Sequence, residues 1–140
     1  MYRRILVAVE NSPADETILS HVTALADLTG ASLVLVHVAD GFAARHFDDL
    51  KLRESEEIKD DRAYLAGLQA RLTTPTRQVS TLLRMGDPAT EIIRASEEAQ
   101  VDLVAMSTLG HRFINDLLRG TTVDRVRHSV RMPVLLLRAP

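Results

Sequence analysis

Five short runs of buried-type residues, separated by stretches of helical periodicity, leave this chain few folds to choose from. They are Ile5–Val9, Ala31–Val38, Gln78–Arg84, Asp102–Met106 and Pro133–Leu137. A continuous apolar run rich in branched residues is what a strand needs when both of its faces are covered. Strands of that kind alternating with helices imply a parallel, doubly wound sheet with right-handed crossovers. The third run is the least apolar and reads as an edge. At 140 residues, the chain is expected to form one domain, spanning 1–140, with a sizeable core.

The segments between the runs carry helix signals. Asn11-Ser12-Pro13 opens the first, with Ser12 expected to cap it and Pro13 to take the first helical position. Ile18, Val22, Leu25 and Leu28 form its expected core stripe, and Gly30 is placed to end it left-handed. Phe42–Leu72 is the most polar segment; Ile58, Leu65, Leu68 and Leu72 keep helical spacing behind a face of alternating charges. Thr73-Thr74-Pro75 stops it. Met85-Gly86-Asp87-Pro88 is a turn that starts the next helix, whose buried face is Ala89, Ile92, Ile93 and Ala99. Thr121 or Thr122 is the expected cap of a last helix bearing Val123, Val126 and Val130.

Several function classes lack support. A formal net charge of -2 makes no electrostatic case for nucleic acid or a membrane surface. The opening apolar run, Ile5–Val9, is too short for a signal peptide or a membrane span. With no cysteine there is no thiolate chemistry, which suits a reducing, cytoplasmic setting. His21, His37, His46, His111 and His128 show no metal spacing, and His37 reads as a packing residue on its strand. Neither a P-loop nor Gly-x-Gly-x-x-Gly occurs, and no nucleophile, histidine and acid stand out as a set.

The stretch that carries chemistry runs from Ser107 to Thr122. A buried strand ends, two glycines punctuate a loop, and a fresh helix begins. The first turn of a helix leaves backbone N–H groups unpaired and a partial positive charge, and a glycine beside it lets an anion approach. Gly110 and Gly120 are either turn residues or the walls of a phosphate cradle. Thr121 and Thr122 can cap the helix and also offer hydroxyls and amides to phosphate oxygens. Arg112 and Arg119 flank the glycines, while Asp124 in the first turn works against an anion.

The spacing Ser107-x-x-Gly110, nine residues, Gly120-Thr121 resembles the nucleotide loop of the universal stress protein family, Gly-x-x-Gly, nine residues, Gly-Ser/Thr. Ser107 replaces the first glycine. The likeness covers the whole chain through Ile5–Ser12, Val36-His37-Val38, Gly86-Asp87-Pro88 and Pro133–Leu136. It implies a Rossmann-like sheet of the adenine nucleotide alpha hydrolase type in order 3-2-1-4-5, with helices on both faces. Glu10 and Ser107 then meet at the mouth, where the strand order reverses. It implies a site for ATP, or AMP or ADP, made of Ala8, Glu10, Val38, Met106, Ser107, Gly110, Gly120, Thr121 and Thr122. Val38 matches the strand end whose backbone meets adenine. Glu10 stands where nucleotide-binding relatives usually carry an aspartate beside the ribose, and is the one residue placed to assist a phosphate-held Mg²⁺. The resemblance also implies a homodimer through the Pro133–Leu137 edge strand. Three functions follow: a nucleotide-binding stress sensor or regulator, a nucleotide-free interaction protein of the same fold, and a nucleotide-consuming enzyme. The last lacks a catalytic set, and slow ATP hydrolysis is the most it would provide.

Overall fold

The computed structural model describes the backbone of residues 1–40, 47–108 and 120–140, and the side chains of 1–39, 56–108 and 120–140. Its elements are β1 (Arg4–Ala8), α1 (Asp15–Thr29), β2 (Ser32–Asp40), α2 (Phe47–Leu72), β3 (Val79–Gly86), α3 (Pro88–Glu98), β4 (Leu103–Thr108), α4 (Gly120–Ser129) and β5 (Val134–Arg138). The five strands lie in the order β3-β2-β1-β4-β5, and every neighbouring pair is parallel.

Side-chain alternation divides the core between two faces. Ile5, Val7, Leu33, Leu35, Leu103 and Ala105 point to one face, against Ile18, Leu19 and Val22 of α1 and Leu65, Leu68 and Leu72 of α2. Leu6, Ala8, Val34, Val36, Val104 and Met106 point to the other, against Ala89, Ile92 and Ala95 of α3 and Val123 and Val126 of α4. Both faces of β1 are therefore buried, which is why its run shows no polar alternation. Each fully buried Leu, Ile or Val contributes about 1.5–3 kcal/mol.

The local signals hold with three shifts. Gly30 ends α1 at φ 78°, its N–H bonded to the Ala26 carbonyl. Asp87 caps α3 by accepting the Thr90 N–H at 3.0 Å, with Pro88 in the first turn. Leu28, however, is 84% exposed, and Leu19 and Ala26 fill the stripe of α1 instead. Ser12 does not cap α1: Ala14 holds the cap position without a side-chain bond, and the helix begins at Asp15. In α3, Ala95 and Ser96 are buried while Ile93 and Ala99 are only partly so.

One buried cation lies off the strand and helix patterns. Arg77 donates from Nε to the Leu72 carbonyl at 2.8 Å and from Nη1 to both oxygens of Asp27 at 2.7 and 2.8 Å. It ties the end of α2 to α1 just before β3 starts. Among the described residues, no helix is long and apolar enough to cross a membrane.

Candidate functional site

The chain leaves β1 toward one side and β4 toward the other, so the carboxyl ends of these two strands open a crevice at the switch point. Ala8, Val38 and Met106 are buried on the α3/α4 face there. Strand alternation turns Ser107 toward the opposite face, the side of α1. The register pairs Val7 with Ala105, which sets Ser107 level with Val9 and Thr108 level with Glu10. Ser107 is 1% exposed, and its Oγ makes no hydrogen bond among the described residues.

Helix α4 begins at Gly120, so Thr121 and Thr122 lie inside its first turn rather than ahead of it as caps. A Cβ built on Gly120 meets nothing within 4 Å among the described residues. Thr121 is exposed and Thr122 buried. Asp124 is paired with Arg127 at 3.2 Å. Gly110, with Arg112, Arg119 and His111, lies outside the described residues.

The β1–α1 turn is held by a residue the sequence reading passed over. Asp15 is fully buried, and its carboxylate accepts the N–H of Glu10 at 3.0 Å, of Asn11 at 2.9 Å and of Ser12 at 3.3 Å. Asn11 takes a left-handed φ of 61°, which helps turn the three amides inward. Tyr64 of α2 adds a fourth donor, its hydroxyl reaching Asp15 at 2.5 Å. Burial, and then the hydrogen bond to Asp15, push the Tyr64 phenol well above its ordinary value, so it stays a donor. Ser12 Oγ accepts the Ala14 N–H at 3.2 Å and donates to Glu10 Oε1 at 2.5 Å, which directs the carboxylate of Glu10. A carboxylate four positions after a left-handed asparagine was the available signal for Asp15.

His37 also does more than pack. It is 4% exposed; its Nδ1 donates to the Val9 carbonyl at 2.9 Å, and its Nε2 lies 3.1 Å from Asp61 Oδ2. A carbonyl only accepts, so Nδ1 carries a hydrogen. Asn11 Nδ2 donates to the other oxygen of Asp61 at 3.1 Å. The ends of β1 and β2 are thereby bound to α2 through polar groups. Among the described residues, no three metal-ligating side chains come together. An open cavity of about 850 Å³ lies away from the mouth, around the amino ends of β2 and β3, lined by Ser32, Gln69, Gln78 and Leu82 among others.

A family model described as the universal stress protein family matches residues 1–138. The universal stress protein MJ0577 of Methanocaldococcus jannaschii is 24% identical over 99% of this chain and 96% of its own length. The solved structure of MJ0577 superposes with a TM-score of 0.76 at 25% identity, covering 100% of this chain and 98% of that one. Two more distant folds were solved with adenine nucleotides. The universal stress protein from Archaeoglobus fulgidus in complex with dAMP has a TM-score of 0.70 at 21% identity, covering 96% of this chain and 97% of that one. A universal stress protein in complex with cAMP has a TM-score of 0.64 at 20%, covering 99% and 98%.

Proposed function

As the chain belongs to the universal stress protein family, we propose that it binds an adenine nucleotide at the mouth between β1 and β4 and acts as a stress-response sensor or regulator. One observation carries the reading. The loop pattern falls between the end of β4 at Thr108 and the start of α4 at Gly120, at the switch point. The first turn of α4 therefore starts beside the switch point, where the amides of a helix start can meet an anion, and among the described residues nothing crowds Gly120. The dAMP and cAMP complexes of the related folds support the choice of an adenine nucleotide.

In this reading, Gly110, Gly120, Thr121 and Thr122 take the phosphates, with Ser107 beside them. Glu10 accepts a ribose hydroxyl, and Ala8, Val38 and Met106 line the apolar part. ATP is the proposed ligand, with Mg²⁺ held mainly by phosphates and water and assisted by Glu10. The setting is cytoplasmic, the chain acts as one domain, and hydrolysis is at most slow.

A second reading, a nucleotide-free interaction protein, draws on Ser107 in the place of a loop glycine. It also draws on β5, whose Val134, Leu135, Leu136 and Leu137 are only half-buried at the sheet edge. An apolar edge invites antiparallel pairing with a second copy, which either reading accommodates. Calorimetric titration with ATP and Mg²⁺ decides between them. We expect binding by the wild type and about fivefold tighter binding by Ser107→Gly, equivalent to about 1 kcal/mol. Gly120→Val is expected to lose binding and stay folded. No binding by either the wild type or Ser107→Gly would end the nucleotide reading.

A further inference from the structure

Among the described residues, two helix starts flank the switch point at the carboxyl edge of the sheet and gather backbone N–H groups: the first turn of α4, and the β1–α1 turn. In the second, the amides of Glu10, Asn11 and Ser12 converge on one point. Consecutive amides around a left-handed residue form a concavity that binds anions. Here the chain fills it from within. Asp15 presents both oxygens, is fully buried, and receives the Tyr64 hydroxyl on Oδ2, the oxygen that also takes the Asn11 and Ser12 amides. All four partners donate, so the group they enclose is a carboxylate.

We propose that Asp15 is a positioning residue that acts as an internal anion, closing the β1–α1 turn to phosphate and so fixing which way round a nucleotide can lie in the mouth. A phosphate brought to this turn would find its amides taken and a negative charge already in place. Like charges a few ångströms apart repel strongly where water is scarce. Among the described residues, the first turn of α4 is then the place at the switch point left to meet a phosphate. The β1 end, where Ser12 donates to Glu10, is left for an uncharged, hydroxyl-bearing part of the ligand. Tyr64 seals the device from α2, and the bond from Asn11 to Asp61 keeps the turn in its left-handed form. The orientation it imposes rests on the nucleotide reading; the filled amide cluster does not.

The test therefore begins without nucleotide. Asp15→Ala empties the turn, and thermal melts are recorded in rising sodium formate against sodium chloride at equal ionic strength. Formate, a small carboxylate, is expected to restore several degrees to Asp15→Ala and nothing to the wild type. Inorganic phosphate is expected to bind Asp15→Ala at a second site that the wild type lacks. If Asp15→Ala does not fold, the recovery of folded protein on dilution from urea into formate or chloride is compared, and formate should raise the yield. Tyr64→Phe, which keeps the carboxylate, should show no formate effect. Equal responses of wild type and Asp15→Ala, or no response to formate in either melts or refolding, overturns the proposal. A formate effect in a protein whose wild type binds no ATP keeps the internal anion and removes the nucleotide reading. ATP binding with no formate effect does the reverse.

Discussion

Replacing Ser107 by alanine should make the ligand-free protein more stable. The hydroxyl is buried at the end of β4 and bonds to nothing among the described residues. A buried polar group without a partner costs about 1–3 kcal/mol in lost hydration. Alanine removes that group and keeps the Cβ, so the neighbours see the loss of one oxygen atom. Alanine is slightly less suited to a strand than serine's neighbours on the scale, a cost of a few tenths of a kcal/mol. The net expectation is a gain of about 1 kcal/mol, or a melting point higher by about 3 °C for a chain of this size. Ser107→Gly supplies the control. It also removes the hydroxyl, but gives back about 0.5–1 kcal/mol through backbone entropy, and should melt close to wild type. Urea unfolding of the three proteins without nucleotide, read by circular dichroism, gives the differences directly. A loss of 1 kcal/mol or more in Ser107→Ala would refute the reasoning, because it would mean the hydroxyl has a partner in the folded protein.

Four other outcomes follow from the geometry. Leu28→Lys should change stability by less than about 0.5 kcal/mol in a denaturant melt, since the side chain is exposed. Arg77→Met should cost about 1–3 kcal/mol by the same assay, because the Leu72 carbonyl loses its donor while the apolar stem is kept. Asp102 feels burial, which raises its pKa, but the amides of Arg4 and Arg3 outweigh this and hold it below the ordinary 3.8. Its stabilising share is thus present above pH 3.8 and lost as pH falls through the lower folded value, so Asp102→Asn should flatten the acid limb of a stability–pH curve. Leu136→Lys should shift a dimer toward monomer in light scattering at micromolar concentration, if β5 pairs with a second copy.

The fold was legible because burial on two faces leaves a plain mark. Ile5–Val9 and the run ending at Met106 read as strands covered on both faces, and the weak apolar character of Gln78–Arg84 suggests an edge, as β3 is; the full strand order comes from the family resemblance. Gly30 and Asp87-Pro88 were legible because each residue type is suited to one local geometry. Leu28 misled because leucine is equally at home one position off the stripe, where nothing covers it. Ser12 misled because a serine before proline has the signature of a cap, whereas here it serves Glu10 and Ala14. Asp15, His37, Asp61 and Tyr64 were not legible as a group. The bonds from Tyr64 to Asp15, Asn11 to Asp61 and His37 to Val9 and Asp61 all join distant parts of the chain, and only the packing of α2 against the ends of β1 and β2 brings these residues together. The pattern at Ser107 and Gly120 could be read, but the burial of the serine hydroxyl could not, since it depends on what faces the strand.

The strand order also sets when the crevice can exist. Arg3 and Ser32, where β1 meets β2, are 29 residues apart, whereas Arg4 and Asp102, where β1 meets β4, are separated by 98. Closing the longer loop costs about 1 kcal/mol more in chain entropy. The β1–β2–β3 portion can therefore gather early from near neighbours, while the β1–β4 seam waits for a distant segment. During synthesis from the amino terminus, the seam cannot form until β4 has emerged at Thr108. A molecule that binds across it would report on completed chains and would discriminate against partly folded ones.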